Sequence, residues 1–139
     1  MSVSKRKLST EDYELLAQFR WSLRQFLRFS ECAAREAGLT PQQHQALLAI
    51  KGFGGQQPIL IGELADRLQI LHHSAVGLAD RLGREGYVKR LTDENDRRRV
   101  HLVLTPRGET ILETLSAAHR DQLSAASPSL MRILKRLSE

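Results

Sequence analysis

The chain has 139 residues, about one domain, and its 41% hydrophobic content is enough to bury a core, which excludes wholesale disorder. No apolar run approaches the roughly 18 residues that cross a bilayer, and the basic start Met1–Lys7 lacks the apolar segment of a secretion signal. The single cysteine, Cys32, excludes an internal disulfide and a multi-thiolate metal site. We therefore expect a cytoplasmic protein that has no membrane contact, cofactor or metal.

The net charge of +5 is concentrated in one part of the chain. Residues 81–107 hold eight bases and four acids, so this segment carries four of the five net positive charges. The remainder of the chain is nearly neutral. A localised positive field indicates a site for a polyanion, although charge alone favours a solvated basic face equally well.

The first two predicted helices lie before residue 52. Apolar residues at helical spacing over 15–27 predict a first helix, capped by Ser9 or Thr10, which ends at about Ala37 before Gly38. The segment Thr40-Pro41-Gln42-Gln43 predicts the start of a second helix, because it combines an N-cap, a first-turn proline and a capping box. The glycine-rich segment 52–58 that follows lacks the Gly-Lys-Ser/Thr ending of a phosphate-binding loop, so we interpret it as a connector.

The middle of the chain predicts two short helices and a hairpin. Segments 62–68 and 73–84 have helical apolar spacing, and the few residues between them suit a helix-turn-helix corner. Residues 87–91 and 100–104 are predicted strands, and the even-numbered residues of the second strand form its buried face. The polar loop 92–99 is too long for a tight turn and should project as a flap.

The last third of the chain predicts two further helices. Thr105-Pro106 starts a fifth helix that runs to Ala126, and Ser127-Pro128 breaks the chain before a short sixth helix. The predicted fold is therefore mostly α with a small β-wing. A helix-turn-helix followed by a basic-tipped hairpin is the layout of a winged helix-turn-helix protein.

Two stretches resemble a known family. Asp93-Glu-Asn-Asp96-Arg97-Arg98-Arg99, followed by Leu102-Val-Leu104-Thr105-Pro-Arg-Gly108, is similar to the wing signature of the MarR family of bacterial transcriptional regulators, Asp-x-Arg-Asp-Arg-Arg leading into Leu-Thr-x-x-Gly. The helix pair within 61–82 and the segment 86–90 also resemble the family, and the similarity covers nearly the whole chain. It implies a DNA-binding transcriptional regulator, which we expect to act as a repressor, while the sequence leaves activation open as the alternative.

The sequence departs from the family pattern at two positions. Asn95 stands where the family usually has the first wing arginine, so that contact is weakened or is made by Arg97. Leu71 stands where Ser or Thr commonly caps the recognition helix, so either a neighbour such as Ser74 caps it or the helix boundary is shifted.

The fourth helix is the predicted recognition helix. A helix fits the major groove of DNA, and side chains near its N-terminus reach the base edges. We expect base contacts at four positions, close approach at a glycine and a phosphate contact one turn later. These residues are His72, His73, Ser74, Val76, Gly77 and Arg81. A surface role or a metal site remains open for the two histidines, although adjacent residues point apart on a helix.

The wing is predicted to contact the DNA through its arginines. Arginine can enter a narrow minor groove, where the negative potential is strongest, and we place Arg97 there. Asp93 or Asp96 is expected to brace the loop by pairing with Arg98 or Arg99, and either of these arginines can serve a phosphate. The alternative is a mobile charged loop.

The segments 1–37 and 105–139 are predicted to form a helical dimerisation region, and 38–104 the DNA-binding lobe. A central domain of this size cannot bury all the apolar stripes of the terminal helices, so they should pair with a second chain. The expected partners are double-stranded DNA, read as a pseudo-palindrome, and a second copy of the chain. Half-sites would lie roughly 10 base pairs apart.

A ligand site is also expected. The family resemblance implies a small aromatic or anionic effector, bound near Trp21, Arg24 and His44, although ordinary packing and a solvated face explain these residues as well. Cys32 is a candidate redox sensor, but only Arg35 lies close in sequence to activate it, which favours a structural thiol.

Two other classes of function compete with this interpretation. A sequence-indifferent architectural nucleic-acid-binding protein would have the same basic segment. An enzyme or metal-dependent protein would rest on His72, His73 and Cys32, but no catalytic arrangement of Ser/His/Asp or paired carboxylates stands out. We therefore expect no catalysis.

Overall fold

The computed structural model describes residues 6–139; residues 1–5, which begin the predicted segment 1–37, lie outside the described part. Residues 6–139 form five helices and three strands. In chain order these are α1 (Thr10–Glu36), α2 (Pro41–Lys51), β1 (Ile59–Leu60), α3 (Ile61–Leu68), α4 (His72–Arg84), β2 (Val88–Thr92), β3 (Val100–Leu104) and α5 (Pro106–Ser138). Within the described range no helix combines the length and hydropathy needed to cross a lipid bilayer.

The chain divides into two compact units. We name Met1–Ser30 together with Ala118–Glu139 the terminal unit, and Glu31–Ala117 the central unit. The terminal unit thus contains most of α1 and the second part of α5. The central unit contains the other elements, among them the predicted helix-turn-helix and wing.

Side-chain contacts tie α1 to α5 within the terminal unit. Ser9 caps α1: its hydroxyl accepts from the Asp12 backbone N–H at 3.2 Å, and the Asp12 carboxylate accepts from the Ser9 backbone N–H at 2.8 Å. The second of these hydrogen bonds is the main reason why the pKa of Asp12 lies below its ordinary value. Ser30 and His119 are hydrogen-bonded at 2.8 Å, and Glu11 forms an ion pair with Arg136.

The predicted break at Ser127-Pro128 is wrong. Helix α5 continues from Pro106 to Ser138 with Pro128 inside it, so there is no separate sixth helix. Proline lacks the N–H that would bond to the carbonyl of residue 124, four positions earlier. Both positions are exposed, so water can satisfy that carbonyl and the helix can continue.

The core of the central unit is formed by α2, α3, α4 and the sheet. The predicted start of α2 is confirmed: Thr40 Oγ1 accepts from the Gln43 N–H at 3.1 Å, and the Gln43 side chain accepts from the Thr40 N–H at 2.9 Å. The fully buried large side chains of this unit are Leu47, Ile59, Leu64, Leu82 and Leu102. They fix one face of each helix and leave the opposite faces to solvent.

The sheet has three antiparallel strands in the order β1-β3-β2, whereas the sequence predicted two. Strand β1 is only two residues long and pairs Ile59 with Leu102. Strand β3 therefore has a paired strand on each edge, and the adjacent residues His101 and Leu102, which point to opposite faces, are both buried. Strand β2 begins at Val88 rather than at Tyr87, because the Tyr87 N–H still bonds to the Leu82 carbonyl at the end of α4.

The helix-turn-helix corner consists of residues 69–71. Gln69 adopts a left-handed conformation, with φ +54°, and ends α3. Helix α4 begins at His72, one residue earlier than predicted, and Leu71 is its N-cap. The Leu71 side chain forms no N-cap hydrogen bond.

The Leu-Thr-x-x-Gly motif joins the wing to α5. Thr105 Oγ1 donates to the Gly86 carbonyl at 2.6 Å and accepts from the Gly108 N–H at 3.1 Å, while the Thr105 N–H bonds to the Tyr87 carbonyl at 3.0 Å. A Cβ at Gly108 would overlap that carbonyl oxygen, so the position requires glycine. The motif therefore fixes the base of the wing against the start of α5.

Candidate nucleic-acid interface

The predicted base-contacting residues share the exposed face of α4. Ala75, Leu78, Ala79 and Leu82 bury the opposite face in the core, and this sets the rotation of the helix. The exposed residues are His72, His73, Ser74, Gly77 and Arg81, and Val76 is half-buried beside them. A Cβ at Gly77 would meet open space, so a ligand can approach the backbone closely there.

The wing loop 93–99 is ordered by its two aspartates. Asp93 closes the loop through its N–H, which donates to the Arg99 carbonyl at 3.1 Å, and its carboxylate accepts from the Asn95 N–H at 2.8 Å. The Asp96 carboxylate accepts from the Arg98 N–H at 3.0 Å. Each aspartate side chain thus accepts a hydrogen bond from the backbone N–H two residues later, which is the Asx-turn that Asp commonly forms.

The arginines at the wing differ in their partners. Arg98 forms an ion pair with Asp96, with 3.1 Å between Nε and Oδ1, and Arg99 lies 4.0 Å from Asp93. The hydrogen bonds from the Arg98 side chain and backbone hold the pKa of Asp96 below its ordinary value. Arg97 is exposed and has no ion-pair partner among the described residues, so its guanidinium is free for an external anion.

Helix α4 and the wing meet at one cleft of about 510 Å³. The start of α3 and strand β3 contribute its apolar floor, while arginines from β2 and the wing loop supply positive charge. The lining residues that matter here are His72, Val76, Arg90, Arg98 and Arg99. The structure thus brings the predicted recognition helix and two of the three predicted wing arginines to a common surface.

Two supporting residues were missed by the sequence analysis. His101 Nδ1 lies 2.7 Å from the Pro58 carbonyl, to which it donates, and its Nε2 lies 3.8 Å from the Asp93 carboxylate. Arg90 forms an ion pair with Asp80, which links β2 to α4. Alternation in β3 suggests an exposed position for His101, whereas the structure buries it, with side-chain contacts to Pro58 and Asp93 outside β3.

The predicted effector residues belong to different units. Trp21 is 63% exposed on α1, Arg24 is also exposed there, and both lie in the terminal unit. His44 is buried on α2 in the central unit. Their grouping into one pocket remains a prediction. Cys32 is exposed on α1, and residues 6–139 contain no cluster of three His, Cys, Asp or Glu side chains that could hold a metal.

Sequence comparisons identify similar proteins that regulate transcription. A family model described as the MarR family matches residues 37–99, which contain the helix-turn-helix and the wing loop. The transcriptional activatory protein BadR of Rhodopseudomonas palustris is 31% identical over 124 residues, which cover 82% of this chain and 70% of BadR.

Solved structures show the same fold. NadR, in a complex with 4-hydroxyphenylacetate, is 27% identical and has a TM-score of 0.69; the match covers 98% of this chain and 94% of NadR. A MarR family protein from Bacillus stearothermophilus has a TM-score of 0.77 at 23% identity, with 96% of each chain covered.

Proposed function

The chain belongs to the MarR family of DNA-binding transcriptional regulators, and from this premise we propose that it acts as a homodimer which binds a pseudo-palindromic operator and represses the promoter it covers. The observation that carries the proposal is the common surface of α4 and the wing. Exposed polar side chains of α4 lie there beside a cleft lined by Arg90, Arg98 and Arg99, which are all exposed. Repression by occlusion needs only this DNA-binding surface, whereas activation would need a further contact with the transcription machinery.

The contacts divide between the grooves and the phosphates. His72, His73, Ser74 and Val76 read base edges in the major groove, and Arg81 one turn later contacts a phosphate. Arg97 enters the minor groove, because it is the wing arginine without an internal ion pair. The paired arginines at 98 and 99 bind phosphate while Asp96 and Asp93 hold their backbone in place.

Dimerisation is proposed through 1–37 and 105–139, with 38–104 as the DNA-binding lobe. The terminal unit supports this proposal because many of its large apolar side chains are exposed in the single chain, and apolar surface of that extent is typical of an interface. Among the described residues these are Leu8, Tyr13, Leu16, Trp21, Leu23, Leu27, Leu123, Met131 and Leu134. Twofold pairing would present two recognition helices about one turn of DNA apart.

The effector proposed for this chain is a small aromatic acid. The NadR complex with 4-hydroxyphenylacetate supports the chemical class, and Trp21, Arg24 and His44 offer an aromatic ring, a cation and an imidazole. In the proposed dimer, the distance between the two DNA-binding lobes determines the DNA affinity. A ligand changes that affinity only if it binds one lobe distance more tightly than another, and such coupling is typically about 1–3 kcal/mol. Aromatic acids that raise Tm should therefore also shift the DNA Kd, and Arg24→Ala should abolish both effects.

The decisive experiment is selection of bound duplexes from a pool of genomic fragments, followed by titration of the selected operator and a scrambled duplex at several salt concentrations. We expect an inverted repeat and a specificity ratio of about 10³ or more. Equal affinity for both duplexes would instead identify an architectural protein. A reporter fused to the selected promoter then gives the sign of regulation, which matters because BadR is named as an activatory protein.

A further inference from the structure

Leu71 is an exposed leucine at the start of the recognition helix. Its side chain is 66% exposed, one of the highest values among the large apolar residues of the chain. It occupies the N-cap of α4, where Ser, Thr, Asp or Asn would accept a backbone hydrogen bond and leucine cannot. Neither core packing nor helix capping therefore explains a leucine at this position.

Polar and cationic side chains follow Leu71 along the exposed face of α4 and border the neighbouring cleft. His72, His73 and Ser74 follow it on the exposed face of α4, and His72 also lines the cleft that Arg98 and Arg99 border. An apolar protein surface would have to desolvate these charges on binding. A polyanion that carries an apolar group at its recognition edge fits the combination better.

The major groove of DNA offers one such apolar group, the C5-methyl of thymine. We propose that Leu71 packs against a thymine methyl in each half-site and so specifies an A·T pair at one position of the operator. This inference rests on the proposed DNA-binding function and adds a residue that reads sequence by apolar contact. The histidines and Ser74 beside it read neighbouring pairs through hydrogen bonds.

Deoxyuridine tests this contact directly, because it differs from thymidine only by the absence of that methyl. Operator duplexes would carry deoxyuridine at one thymine at a time and then at both symmetry-related positions. For the parent protein we expect one position at which deoxyuridine weakens binding about fourfold, because each contact loses the burial of one methyl group. When both symmetry-related positions carry deoxyuridine, binding should weaken about fifteenfold. Leu71→Ala and Leu71→Ser should bind the thymidine and deoxyuridine duplexes equally.

The serine variant separates the contact from a structural role of Leu71. Serine supplies the missing N-cap, so Leu71→Ser should keep or raise Tm while it loses the dependence on the methyl. Leu48→Ser changes another exposed leucine, in α2, and should retain the parent response to deoxyuridine. If replacing each thymidine by deoxyuridine changes the affinity of the parent and of Leu71→Ser by the same factor, the inference about Leu71 is wrong and the proposed function is unaffected. Absence of any preferred sequence for the parent would overturn the proposed function.

Discussion

The two units of this chain treat their apolar residues in opposite ways. In the central unit, leucines and isoleucines from three helices and the sheet are fully buried against one another. In the terminal unit, Leu15 and Ile133 are the buried apolar side chains among the described residues, and nine large apolar residues of the described part are exposed. A region that buries its own apolar surface can fold by itself, whereas one that exposes it needs a partner.

The units also differ in charge and therefore in the partner that each can accept. The central unit contains the basic segment 81–107, whose arginines suit an anionic polymer. The terminal unit offers an apolar surface that suits a second protein chain. Sequence-specific binding to a palindrome needs both properties in one molecule, because the interface sets the spacing of the two DNA-binding surfaces.

The largest expected effect tests the core of the central unit. Leu47 is fully buried, and Leu48 beside it on α2 is 50% exposed. Leu47→Ala should lower the free energy of unfolding by about 2–5 kcal/mol, through lost burial and the cavity that remains. Leu48→Ala is the matched control and should change it by about 0.5 kcal/mol or less. Thermal and urea unfolding measure both; similar losses would contradict the burial assigned to α2.

The second prediction tests the exposed apolar surface of the terminal unit. Leu134→Glu would place a carboxylate in the proposed interface, and burial of an unpaired charge costs several kcal/mol. We expect the dimer dissociation constant to rise by about 100-fold or more, measured by sedimentation equilibrium. Leu48→Glu, on the central unit, should leave the dimer unchanged. A monomeric parent protein at micromolar concentration would refute the dimer altogether.

The third prediction tests the difference between the wing arginines. Arg97→Ala should weaken operator binding by about 1–3 kcal/mol, because it removes a contact in the minor groove. Arg132→Ala removes an exposed arginine from α5 in the terminal unit and should leave operator affinity within about twofold. Binding isotherms and sedimentation together separate DNA affinity from dimerisation. Affinity of Arg97→Ala within about twofold of the parent would transfer the minor-groove contact to Arg98 or Arg99.

The features that the sequence predicted correctly are those with local causes. The start of α2 depends on Thr40 and Gln43, and the start of α5 on the hydrogen bond from the Gly108 N–H to Thr105 Oγ1, so a short motif contains the interacting groups in each case. The pairing of the wing acids with its arginines is equally local. Such contacts form within a few residues and need no tertiary information.

The features that it missed depend on distant partners or on solvent. Strand β1 forms because Ile59 pairs with Leu102 on a strand far along the chain, and the Pro58 carbonyl just before β1 accepts a hydrogen bond from the buried His101. Pro128 was expected to end a helix, but an exposed helix can lose one backbone hydrogen bond to water and continue. The residues predicted for the effector pocket lie on two units and have no short-range pattern that would group them.

The smallest expected effect concerns the acid that orders the wing. The pKa of Asp96 is lowered by hydrogen bonds from Arg98, first from its side chain and then from its backbone N–H, and to a lesser degree by the charge of Arg99. A lowered pKa means that the folded state favours the carboxylate. The contribution of the Asp96–Arg98 contact to folding stability is therefore complete at neutral pH and is lost only as the pH falls through that lowered pKa.

Arg98→Ala should raise the Asp96 pKa towards its ordinary value, as followed by carboxyl NMR titration, and Arg99→Ala should raise it less. An equal response to the two substitutions would mean that net charge, rather than the Arg98 hydrogen bonds, holds the carboxylate in its ionised form.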